Sequence, residues 1–113
     1  MSLAKFKDEI IKLSQEIGCF CNCTVLNETN NTVKIKLDIT RTCFVQIYAN
    51  FRKNLKNYVV ILDGQRIFGR DSDGGRWHKH PWENPSKHLF EEEVLLRDFL
   101  FETYKGLINK GIL

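Results

Sequence analysis

The side chains best suited to chemistry crowd into one stretch. From Asp71 to His88 the chain reads DSDGGRWHKHPWENPSKH, and these 18 residues hold all three histidines, both tryptophans and both prolines of a 113-residue chain. His78-Lys79-His80 is an H-x-H pair. On an extended chain both imidazoles face the same way, a geometry that can hold Zn²⁺ or another transition metal when His88, Asp71 or Asp73 closes from elsewhere. Metal-free chemistry suits the stretch better. Histidine exchanges protons near neutral pH, and arginine grips phosphate bidentately. Arg66, Arg70, Arg76, Lys79 and Lys87 lie on or near this loop, and Trp77 and Tyr48 can stack a splayed base. Metal-independent RNA cleavage needs these parts: a base for the 2′-hydroxyl proton, a cation for the crowded phosphorane, and an acid for the leaving oxygen. His78, His80, His88 and Arg70 are the catalytic candidates. Arg66, Arg76, Lys79, Lys87, Tyr48 and Trp77 are the nucleic-acid-binding candidates. The three histidines are expected to converge near Arg70 or Arg76 on one side of a sheet, and His80→Ala is expected to leave the fold intact. No cofactor is implied.

Competing readings of the same residues are weaker. Asp71-Ser72-Asp73-Gly74 opens like a calcium loop, but the next ligand position is Gly75 and the twelfth, which needs a bidentate Glu, is Trp82. Either tryptophan can serve as a lid on the core. Cys19, Cys21 and Cys23 share one face of an extended chain about 7 Å apart, too far to curl around a zinc ion, so they read as small buried hydrophobes in a reducing cytoplasm.

The elements that must position these residues follow from periodicity. Leu3, Phe6, Ile10, Leu13 and Ile17 recur at helical spacing behind a Ser2 cap and before Gly18. Cys19 to Leu26 is β-prone. Val33, Ile35, Leu37 and Ile39 alternate with polar residues, as do Cys43, Val45, Ile47 and Ala49 against Phe44, Gln46, Tyr48 and Asn50. Asp63-Gly64 joins Tyr58–Leu62 to Gln65–Arg70 as a type I′ hairpin. After the long loop, Leu89 to Asn109 reads as a second helix, apolar enough to pack across the sheet or to form a homodimer contact. The fold class is therefore α+β: an N-terminal helix, an antiparallel five-stranded meander, a long His/Trp/Pro loop and a C-terminal helix. Its two layers place both helices on one sheet face within a single domain, residues 1 to 113. The polar sheet face, with Lys34, Lys36, Tyr48 and Arg52, can extend the loop as a binding platform. A net charge of +3 is mild, so its distribution matters more than its sum. No apolar run reaches the ~20 residues that span a bilayer, and the charged N-terminus does not read as a signal peptide, so no membrane association and a cytoplasmic location are expected.

Asp63-Gly64, Arg70-Asp71, His78, His80-Pro81 and Lys87-His88, in this order between a meander and a helix, resemble the toxin TumE family of prokaryotic toxin–antitoxin pairs. The resemblance covers mainly residues 58 to 90, and Gly69-Arg70-Asp71-Ser72-Asp73 departs from the aromatic and Asn-Ala-Pro steps that family commonly shows. It implies distant similarity to RelE-like toxins, action on RNA as an endoribonuclease, and an antitoxin protein encoded nearby that docks on the second helix or a sheet edge. The alternative is a non-catalytic binding domain whose histidine loop holds a metal ion or a protein partner.

Overall fold

The structure, a computed structural model, describes residues 2–72, 75–87 and 89–113. Asp73, Gly74 and His88, and with them the metal and catalytic roles expected of Asp73 and His88, lie outside the described residues. Helix α1 spans Leu3–Ile17. The Ser2 hydroxyl accepts from the Lys5 amide at 3.2 Å, and Gly18 ends the helix in a left-handed conformation at φ 78°. There follow β1 (Asn22–Glu28), β2 (Thr32–Asp38), β3 (Cys43–Asn50), β4 (Leu55–Leu62) and β5 (Gln65–Asp71), then β6 (His78–His80), β7 (Leu89–Phe90) and α2 (Leu96–Asn109). The strands lie side by side in chain order, each antiparallel to the next. The β4–β5 turn places Asp63 and Gly64 at φ 51° and 79°, as a type I′ turn requires.

Both helices cover one sheet face. Phe6, Ile10 and Leu13 of α1 join Phe99, Leu100 and Leu107 of α2 over Val33, Ile35, Ile47, Tyr58, Val60 and Phe68, all in one buried core. The α+β architecture is as expected, but the sheet has seven strands and not five. The two added strands are the three residues of β6 and the two of β7, too short to show a period of 2. Leu89 and Phe90 pair with Lys79 and His78, which delays the start of α2 to Leu96 and leaves Leu95 extended.

The cysteines depart from expectation. Strand β1 is exposed along its whole length as an edge of the sheet, and α1 touches it without burying it, through Lys7 Nζ 2.6 Å from Glu28. Cys21 and Cys23 are therefore exposed, Cys19 is half-buried, and only Cys43 is fully buried. Burial pushes the Cys19 thiol up to about 11, and burial with the nearby Asp63 charge raises that of Cys43.

Candidate nucleic-acid interface

The strand register decides which side chains share a face. Strands lie about 4.8 Å apart, and cross-strand partners project to the same side. One row on the helix-free face runs Lys34, Tyr48, Asn57, Asp71, His78, Phe90, one residue from each of β2 to β7. The next row runs Lys36, Gln46, Val59, Gly69, His80. A bulge between Val60 and Ile61 sets Phe68 opposite Val60 but Arg66 opposite Ile61. One extra residue, Ile67, reverses the alternation, so Arg66 and Arg70 occupy opposite faces of one strand.

On the helix-free face these rows enclose a depression of about 370 Å³, lined by Lys34, Gln46, Tyr48, Asn57, Val59, Ile61 and Arg66. Val59 and Ile61 supply apolar floor, and Lys34 and Arg66 stand at its two sides. Among the described residues no carboxylate pairs with either cation. The nearby acids on this face are engaged: Lys36 Nζ lies 3.4 Å from Asp38, and Asp71 Oδ2 lies 2.8 Å from His80 Nε2.

The expected site residues divide among three environments. Tyr48 and Arg66 meet in the depression. His78 and His80 share the same face, as the H-x-H spacing requires, but their surroundings differ. His80 is 2% exposed. Its Nδ1 lies 3.0 Å from the Pro85 carbonyl oxygen and 3.2 Å from Arg66 Nη1, and its Nε2 lies 2.8 Å from Asp71 Oδ2. A Cβ on the neighbouring Gly69 would crowd the Tyr58 carbonyl oxygen at 3.0 Å but would meet the His80 Cβ at an ordinary 3.8 Å. His80 is thus enclosed as a clasp between β5, β6 and the following loop, a placement that argues for a structural part and against the expected catalytic one. His78 is half-buried, its ring edge-on to Phe90 at 5.1 Å, and the exposed Arg76 guanidinium sits 4.0 Å above the same Phe90 ring.

Arg70 and Lys79 lie elsewhere, on the helix-covered face. Arg70 Nε donates to Glu102 Oε1 at 2.9 Å, its Nη1 pairs with Glu91, and Lys79 Nζ is 3.5 Å from Glu102 Oε2. Burial raises the Glu91 carboxyl despite Arg70 and Lys79 beside it. These cations are consumed by two carboxylates and cannot share a substrate with Arg66 through the sheet, contrary to their expected roles. Trp77 packs against Tyr58 at 5.8 Å, and so is a core aromatic and not a base-stacking one. Trp82 lies flat on Phe68 at 4.5 Å. Both tryptophans are lids. Lys87 is exposed in a turn closed by its amide on the Asn84 carbonyl. Among the described residues no three His, Cys, Asp or Glu side chains gather as a metal-binding group.

Sequence reasoning put Gln46 on the polar face without giving it a role, and left out Asn57, which precedes the expected start of β4 at Tyr58. The clue was present for Gln46: it alternates with Val45 and Ile47. No helix is long and apolar enough to cross a membrane. Comparison of the chain with protein-family models, with curated proteins and with solved structures returns no match, so the ground for a functional reading is the helix-free face itself.

Proposed function

We propose that the protein is a toxin-like component of a toxin–antitoxin pair that acts on RNA, and that it holds single-stranded RNA on the helix-free sheet face. The observation that carries this reading is the depression whose lining includes Lys34, Tyr48 and Arg66, with no carboxylate paired to either cation among the described residues. Cations track the phosphates of a single strand, and an aromatic ring stacks its bases whatever their sequence. The sheet extends this platform through Phe44, with Lys36 Nζ 4.5 Å over its ring, and through Phe90 with Arg76. A metal-independent cleavage step on this face draws on His78 beside Arg76, because His80 is enclosed. For the antitoxin, the outer side of α2 offers the exposed Phe101 and Ile108.

Fluorescence anisotropy with labelled single-stranded RNA tests the reading. Lys34→Ala and Arg66→Ala should each weaken binding and each lower the slope of log affinity against log salt by about 0.7, the counterion release of one lost contact to a single strand. On expression in a bacterial host, the double variant should relieve growth arrest. Binding that does not respond to salt, or a double variant that binds as the wild type does, overturns the proposal.

A further inference from the structure

The depression is shaped for more than general adhesion. At about 370 Å³ it sits at the small end of ligand sites, which run from about 300 to 1,000 Å³, so it fits one nucleotide and not a duplex. Its polar lining is of a particular kind. Gln46 and Asn57 each carry a carboxamide, a group with both a donor and an acceptor end, and neither has a side-chain hydrogen-bond partner among the described residues. They stand on adjacent strands, diagonal across the β3–β4 ladder, since Gln46 faces Val59 and Asn57 faces Tyr48. The ring of Tyr48 stands between the Lys34 and Asn57 positions, its hydroxyl 3.5 Å from Asn50 Nδ2. By register Arg66 is level with Asp38, so it stands three strands and four residues from Lys34, roughly 19 Å at the backbone, a length that an extended strand of RNA covers with its splayed base between the two cations.

We propose that this depression reads one base of the bound strand: the base stacks on Tyr48 above Val59 and Ile61, and the amides of Gln46 and Asn57 discriminate its hydrogen-bonding edge. This rests on the RNA-binding reading above and divides its labour, with cations supplying affinity and amides supplying selectivity. Amides suit that task because a base whose edge mismatches them leaves polar groups unpaired in a partly dry pocket.

The test is anisotropy at fixed salt with four labelled RNA homopolymers, rA, rC, rG and rU, each about ten nucleotides long, within the site size of such surfaces. Wild type should bind one homopolymer about ten-fold tighter than the weakest, the discrimination expected of one well-formed amide–base pair. Gln46→Ala/Asn57→Ala should compress that spread to about two-fold with the salt slope retained, whereas Lys34→Ala should weaken all four alike. Asn57→Asp, which replaces a donor by an acceptor at constant shape, should change the rank order, and urea midpoints confirm that each variant is folded. Equal salt-dependent binding of all four by the wild type overturns the base-reading pocket while leaving the RNA-binding reading standing. A spread that survives the double variant also overturns it. Failure to bind any homopolymer overturns both.

Discussion

His80 shows how tightly one side chain can be committed to structure. Its imidazole is enclosed between the Asp71 carboxylate and the Pro85 carbonyl, and so ties the end of β5 to the loop that follows β6. Truncation leaves a carboxylate at 8% exposure without its 2.8 Å partner, and a buried pair broken on one side costs about 3 kcal/mol. His80→Ala is therefore expected to lower the urea midpoint markedly, with the m-value unchanged, whereas His78→Ala should shift it little. A His80→Ala protein as stable as the wild type would show that the clasp contributes nothing. The residue types in this stretch were legible as unusual, but the partition among them was not. Nothing in the local spacing of His78 and His80 tells which imidazole the chain will enclose, because Pro85 and Asp71 close on His80 only once β5, β6 and the loop are assembled. The separation of Arg66 from Arg70 was hidden for a related reason. An even spacing of four predicts one face, and the single-residue bulge at Ile67 reverses it.

At the scale of elements, α2 and the loop before it are fitted to each other through Gly106 and Trp82. The indole lies parallel to Phe68 at an interplanar angle of 2°, and Phe68 continues the stack to Phe99 at 5.6 Å. A Cβ on Gly106 would fall on the indole carbons Cζ2 and Cε2. Alanine is worth about 1 kcal/mol over glycine in a helix interior, yet overpacking a fitted contact costs about 1–3 kcal/mol. Gly106→Ala should therefore destabilise the wild type but stabilise a Trp82→Ala background, a reversal of sign that a double-mutant cycle by urea unfolding reads directly. Additive effects would show that the helix does not depend on this seat. Periodicity found α1 to the residue because Ser2 and Gly18 mark its ends, and it found β2 and β3 because their alternation is clean. It placed the start of α2 too early, because Leu89 and Phe90 continue the apolar pattern although they belong to the sheet edge.

For the whole molecule, the meander gives the two sheet faces different work. One face holds the core and the ion pairs of Arg70 and Lys79 with α2. The other carries Lys34 and Arg66 with no carboxylate paired to either among the described residues, a local balance that the net charge of +3 does not reveal. The order of synthesis adds a further consequence of the same topology. Every strand pairs with its neighbour in the chain, so β1 to β5 can zip together as they emerge, and such local closure is fast. Yet Phe99, Leu100 and Leu107, which complete the core over Tyr58 and Phe68, are made last. Until α2 leaves the ribosome, the part of the sheet under Phe99, Leu100 and Leu107 stands uncovered, and apolar surface exposed in this way is prone to aggregate. A chain ending at Leu95 should bind the dye ANS strongly and show no cooperative urea transition, and a sharp transition in that chain would mean the sheet folds without its final helix.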